Sequence, residues 1–133
     1  MNNIDTIMRM IDWNNSETEQ QRGIEMAREV TCLKAFFQPF GPGYNKNVWE
    51  NCARILYERS DEELEPYISD MLIWLQDLNW PGAETILKRL KEFQRLEMLE
   101  VNLKQMVPAL TAINDDIWLK NISIVIKSIS AGR

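Results

Sequence analysis

The side chains with the greatest capacity for chemistry in this sequence are its 20 carboxylates, because the chain contains no histidine and only two cysteines. The missing histidine removes the commonest general base and the commonest zinc ligand together. Ser-His and Cys-His dyads go with it. No G-x-S-x-G, Walker A, H-E-x-x-H, C-x-x-C or G-x-G-x-x-G run occurs. Asp70 and Asp77 lie seven residues apart on one predicted helical face, and Asp77, Asp115 and Asp116 sit at corners before tryptophan helices. Such carboxylates could act as acid and base or bind a hard cation. These are also positions where acids cap helices and meet the dipole, and capping is the expected role. Cys32 and Cys52 read as reduced, structural thiols on buried helical or near-helical faces. The expectation is a protein that is not an enzyme, without catalytic residues, cofactor or metal. A carboxylate-dependent hydrolase or a nucleobase glycosylase on a helical-repeat scaffold is the alternative.

Charge narrows the partners. A formal net charge of −5 argues against a phosphate backbone as ligand and favours another protein, a basic one. Asp61, Glu62, Glu63 and Glu65 form the strongest single-sign patch and could steer such a partner, although an ordinary capped helix start has the same composition. Phe40, Tyr44 and Lys46 lie in a loop rich in glycine and proline that suits recognition or simple connection. Trp13 and Asn79 stand at helix corners that could line one rim. Lys88, Lys91 and Arg95, with Glu84 and Glu92, read as a solvated face laced by ion pairs. The longest apolar runs, such as Met71 to Leu75, are too short to span a bilayer, and no signal-like start is visible, so a cytoplasmic protein is expected.

The elements follow from periodicity. Ile4, Ile7, Met8 and Ile11 predict a helix ending near Asp12-Trp13-Asn14-Asn15. Ser16 and Glu19, at capping-box spacing, open a second helix to about Val30 with Gly23, Met26, Ala27 and Val30 inward. Gln38 to Asn47 is a long loop. Asn47 and Glu50 repeat the capping spacing for a third helix to about Arg59. Ser60 to Glu63 is a further capping box. Pro66 then separates a short turn at Asp61 to Leu64 from a helix starting at the proline, or kinks it. Tyr67, Ile68, Met71, Leu72, Trp74, Leu75 and Leu78 form its buried face. Asn79-Trp80-Pro81-Gly82 is a tight corner, with Pro81 placed as the first residue of a helix striped by Ala83, Ile86, Leu87, Leu90 and Phe93. The pattern continues through Leu99, Leu103, Met106, Leu110 and Ile113, with Pro108 the only breaker. A hairpin architecture demands a break between Gln94 and Met98. Asp116 to Ser130 fits a helix, yet Ile122 to Ile126 also alternates like a β-branched strand.

An internal repeat decides for helix. Trp49 with Ile55 and Leu56, Trp80 with Ile86 and Leu87, and Trp118 with Ile124 and Val125 share the pattern W-x5-I-[LV], the tryptophans lying 31 and 38 residues apart. That period suits stacked helix pairs, in which each hairpin buries its face against the next. The tryptophans read as plugs between hairpins and the Ile-Leu pairs as repeat core. The fold class predicted is all-α: one domain over 1–133, a right-handed α–α superhelix of HEAT- or armadillo-like hairpins with about six or seven helices.

The stretches Asp12-Trp13-Asn14-Asn15, Gln38-Pro39, Lys46 to Ala53, Ser60 to Leu64 and Trp74-Leu75-Gln76-Asp77-Leu78-Asn79-Trp80-Pro81-Gly82-Ala83 resemble an uncharacterised family of small bacterial proteins. That family is regarded as an all-helical, armadillo-like domain of unknown function. The resemblance implies a bacterial cytosolic origin and supports the fold, and it carries over no catalytic residue. The function expected is a protein-interaction module, in its most concrete form a bacterial immunity protein masking a basic toxin.

Overall fold

The computed structural model describes residues 3–39 and 44–132. Helix α1 (Ile4–Met10) is followed by α2 (Glu17–Ala27), whose start is set by Ser16 Oγ accepting the Glu19 N–H at 3.1 Å. Gly23 lets α2 lie directly on α1. A Cβ there would meet Ile11 Cγ2 at 2.6 Å and Met10 Cβ at 2.9 Å. A 3-10 turn at Leu33–Phe36, not foreseen by periodicity, buries Leu33 and Phe36 and leads into buried Phe37. Cys32 precedes this turn and is exposed, contrary to expectation, because the chain has left α2 before reaching it. Cys52 is buried, and burial pushes its thiol up.

Helix α3 (Trp49–Tyr57) grows out of a 3-10 turn at Lys46–Val48. Asn45 caps that turn by accepting the Asn47 N–H at 2.9 Å, and α3 follows from Val48 without a side-chain cap of its own, so the cap expected at Asn47 falls two residues earlier, on the turn. The capping box at Ser60 forms in full. Ser60 Oγ accepts the Glu63 N–H at 3.1 Å, and Glu63 accepts the Ser60 N–H at 3.2 Å. It opens α4 (Asp61–Leu64); Pro66 then falls in a 3-10 turn at Glu65–Tyr67, and α5 (Ile68–Ile73) starts beyond it. A last 3-10 turn at Trp74–Gln76 ends this bent rod, so Asp70 and Asp77 do not share a helical face.

Helix α6 (Ala83–Lys91) is capped by Gly82 at φ 86°, which leaves Pro81 in the corner rather than in the first helical turn. Helices α7 (Leu96–Ala112) and α8 (Asp116–Ser130) complete the described chain. The break before α7 lies at residues 92–95, beginning two residues earlier than expected. The Ile122 to Ile126 run is helical, with Ile122 and Val125 buried where α8 packs on α6 and on the Trp74–Gln76 turn. With α4 and α5 counted as one bent rod, the described residues form seven helices and no strand.

Helix α2 packs on α3, α3 on α6 and α6 on α8, while α5 packs on α7. Successive hairpins therefore stack in sequence order, an all-α arrangement of helical-repeat character. One apolar cluster runs from Ile7 to Val125. It buries Trp49, Ile55, Leu56, Ile86, Leu87 and Val125, with Trp80, Trp118 and Ile124 half-buried at its margin. Met26 and Ile113, expected inside, are exposed.

The fully buried tryptophan is Trp74, outside the repeated motif. Trp49 stands edge-on to Trp74 at 6.1 Å and to Trp80 at 5.7 Å, and the Trp74 indole donates to the Pro81 carbonyl at 3.0 Å. This cluster closes on the Gly82 corner. A Cβ at Gly82 would meet Ala53 Cβ at 2.8 Å and the Trp49 carbonyl at 2.9 Å, in a left-handed backbone that favours glycine. Gly82→Ala is expected to cost about 2–4 kcal/mol in urea-induced unfolding, through strain and overpacking together.

Candidate functional site: the row of helix corners

Each helix entering the α2, α3, α6, α8 layer starts at a corner whose backbone is folded by a short polar side chain. Asp12 Oδ1 accepts the Asn14 N–H at 2.8 Å, Asn45 Oδ1 the Asn47 N–H at 2.9 Å, and Asp77 Oδ1 the Asn79 N–H at 2.8 Å. These are Asx turns, in which the side chain imitates a backbone turn. They recur 33 and 32 residues apart. At the fourth corner Asp115 Oδ1 caps α8 through the Trp118 N–H at 3.1 Å. The Asx register marks the repeat better than the tryptophans do. Trp49 lies four residues after its turn residue and Trp80 three after, so their rings are not equivalent.

Neighbouring corners are tied together. Trp13 N–H donates to the Asn47 carbonyl at 3.1 Å, and the buried Asn51 amide donates to the Ile11 carbonyl at 2.7 Å. Glu50 accepts the Gly82 N–H at 3.2 Å and the Thr85 hydroxyl at 2.8 Å. Trp118 Nε1 donates to the Leu72 carbonyl at 3.0 Å and the Asn121 amide to the Leu75 carbonyl at 2.7 Å. The carbonyls of Ile11 and Leu75 sit where helices end, and side chains from the next hairpin satisfy them, while the Leu72 carbonyl accepts the Trp118 indole in addition to a backbone N–H at the end of α5.

This edge carries four of the residues singled out from sequence. Trp13 is 48% exposed. The Tyr44 hydroxyl donates to Asp5, a bond that raises the tyrosine's pKa, and the Tyr44 carbonyl accepts from Trp49 Nε1 at 3.3 Å. Lys46 Nζ lies 5.4 Å from the centre of the Trp49 ring. Asn79 is exposed in its turn. Phe40 lies outside the described residues. The edge also displays Ile113, 66% exposed, and Ile117, 70% exposed, beside Asp115 and Asp116. Periodicity puts Ile113 in the α7 stripe, but the buried face of α7 ends at Leu110 and Ile113 is the C-cap, where the chain turns. Ile117 is legible in sequence as an isoleucine directly after the acid pair Asp115-Asp116 at the start of α8.

Asp61, Glu62 and Glu63 lie at the opposite edge, where they serve the fold. Asp61 accepts Arg89 Nη2 at 2.6 Å and the backbone N–H groups of Gln94 at 2.7 Å and Arg95 at 3.2 Å. Those two amides belong to the α6–α7 break, so Asp61 is what holds it. Arg89 also donates to the Arg59 carbonyl at 2.9 Å, while Arg59 reaches the Ala27 and Val30 carbonyls, each at 2.7 Å. Glu63 pairs with Arg59 at 2.8 Å and Glu65 with Arg95 at 3.2 Å. Glu62 is the most exposed of them, its side chain 85% exposed and reaching Arg95 only at 3.9 Å. The acidic patch expected to meet a partner is thus largely neutralised from within. On the face of α3 and α6, Lys88 lies over the Tyr57 ring at 5.4 Å and Tyr57 donates to Glu92 at 2.6 Å.

The profile of a family described as a domain of unknown function, DUF5071, matches residues 47–131. The chain belongs to this family. The DUF5071 match spans α3 to α8 and with them the corners at Asp77 and Asp115; the hairpin bearing Trp13 precedes it. No curated protein and no solved structure matches the sequence. Among the described residues no group of three or more acidic or cysteine side chains is placed to hold a metal ion, and no helix is long and apolar enough to cross a membrane.

Burial alone would push the Asp61 carboxyl up, but the Gln94 N–H, the Arg89 guanidinium and the Arg95 N–H outweigh it and hold its pKa below the usual carboxylate range. Its stabilisation is therefore complete above the unfolded value of about 3.9 and is lost as pH falls through the lower folded value. Asp61→Asn in this DUF5071 chain is expected to cost about 3 kcal/mol near neutral pH, because it leaves Arg89 without its counter-charge. Urea titrations repeated at falling pH should show a flatter acid dependence for the variant than for the wild type below about pH 4.

Proposed function

We propose that this chain is a protein-interaction module, a right-handed α–α superhelix of HEAT- or armadillo-like build, which docks a basic protein along its row of helix corners. The observation that carries the reading is the exposure of Trp13, Ile113 and Ile117 on corners whose backbones are fixed by side-chain hydrogen bonds. Large apolar side chains held rigidly in solvent lose little entropy on binding and exclude water from a contact. Asp12, Asp77, Asp115 and Asp116 among them supply the negative potential that steers a basic surface. Four corners separated by helix spacings of about 8–10 Å span about 25–30 Å, the width of a standard patch of about 800 Å².

The most concrete partner is a basic toxin domain, with this chain as the bacterial cytosolic immunity protein that masks it. Small size and the net charge of −5 support that form. The enzymatic alternative, a carboxylate-dependent hydrolase or glycosylase, asks for a carboxyl held high enough to donate a proton. Asp61 and Glu63 are instead both held low by their arginine and N–H partners.

The test begins with the reading frames beside the gene that encodes this chain. A basic secreted product found there should bind the purified chain in calorimetry. Ile117→Asp and Trp13→Ala should each weaken that binding at least about tenfold, or about 1.4 kcal/mol, while leaving unfolding free energy within about 0.5 kcal/mol of wild type. Unaltered binding by both variants, or no such product beside the gene in any genome that carries it, overturns the reading.

A further inference from the structure

Helix α7 is apolar around most of its circumference, as expected of a helix covered on every side. Its inward residues Leu99, Leu103 and Leu110 are buried against the stack. Its outward residues are not: Met98 and Val101 are each 41% exposed, and Pro108 is exposed. Between α7 and α8 lies an open cleft of about 390 Å³, lined by Leu103, Val107, Pro108, Ile126 and Ile129. This hairpin thus carries an apolar furrow, separate from the row of corners.

The charges beside the furrow indicate what covers it. Only Glu100 and Lys104 among its lining residues are charged, and neither has an ion-pair partner among the described residues. They stand one helical turn apart on α7. When two identical helices cross antiparallel about a two-fold axis between these positions, Glu100 of each meets Lys104 of the other. A pattern of one acid and one base, each left without an ion-pair partner and one turn apart, is self-complementary in the isologous sense about a two-fold axis at position 102. A basic or an acidic partner would satisfy only half of it.

We infer that the α7–α8 face is a homodimer interface, in which a second copy of this chain lays its α7 antiparallel into the furrow. Val101, Val107, Pro108, Ile126 and Ile129 supply its apolar centre, and the two reciprocal Glu100–Lys104 pairs set its register. The corner rows of both copies stay outside the contact.

Sedimentation of the full chain tests this directly. The wild type should approach twice its 15.7 kDa mass as concentration rises. Glu100→Lys sets lysine against lysine and should weaken dimerisation at least about tenfold, as should the mirror variant Lys104→Glu. The double variant Glu100→Lys/Lys104→Glu restores the reciprocal pairs and should return the dimer to near wild-type affinity. Unchanged helical circular dichroism verifies that each variant is folded. A wild type that stays monomeric to millimolar concentration, a dimer indifferent to either single reversal, or a double variant no tighter than the singles would overturn the inference.

Discussion

The stack depends on one constraint: each helix end leaves backbone groups without an intrahelical partner, and here the neighbouring hairpin supplies many of them. Asn51 answers Ile11, Trp118 and Asn121 answer Leu72 and Leu75, Arg59 answers Ala27 and Val30, and Glu50 answers Gly82. Apolar burial drives the hairpins together, but it is non-directional and would tolerate sliding. Hydrogen bonds from side chains fixed on one hairpin to carbonyls at the end of another are directional, so they select one register. Removing the Asn51 or Asn121 amide leaves the Ile11 or Leu75 carbonyl unpaired in a closed interface, which makes the stack cooperative rather than a string of separate hairpins.

Both edges of the stack use this device with different chemistry. Asparagine, tryptophan and glutamate act at the edge where the tryptophan helices begin, and arginine with aspartate acts at the other. The first set is compact and leaves the tips of the corners free, which is why Trp13, Ile113 and Ile117 can stand in solvent on a stiff backbone. The second consumes the acids that the sequence places most densely. The acidic patch and the exposed apolar corners are therefore separate features of this molecule, and exposure discriminates between them where composition does not.

Periodicity made most helices legible, because their burial is one-sided and recurs every three or four residues. The full capping box at Ser60 and the interruption at Pro66 were legible for the same local reason. What escaped depends on distant partners. The α6–α7 break has no glycine or proline and exists because Asp61 claims the amides of Gln94 and Arg95, more than 30 residues away. Tryptophan marks the repeat conspicuously and to within one residue, whereas the Asx residues Asp12, Asn45 and Asp77 that fold its corners are ordinary ones in local sequence. Of the candidate site, Trp13, Tyr44, Lys46 and Asn79 fell together on one edge, whereas Asp61 and Glu63 are structural. Their pairing with arginines from other helices cannot be read from local sequence.

The central claim is that corner carbonyls answered from the next hairpin hold the stack in register. Equilibrium urea unfolding of Asn121→Leu examines it most directly, since leucine keeps the volume and removes only the amide that meets the Leu75 carbonyl. The account predicts a loss of about 2 kcal/mol in one cooperative transition, the cost of a buried carbonyl left unpaired. A change below about 0.5 kcal/mol, the scale of an ordinary surface substitution, would contradict it.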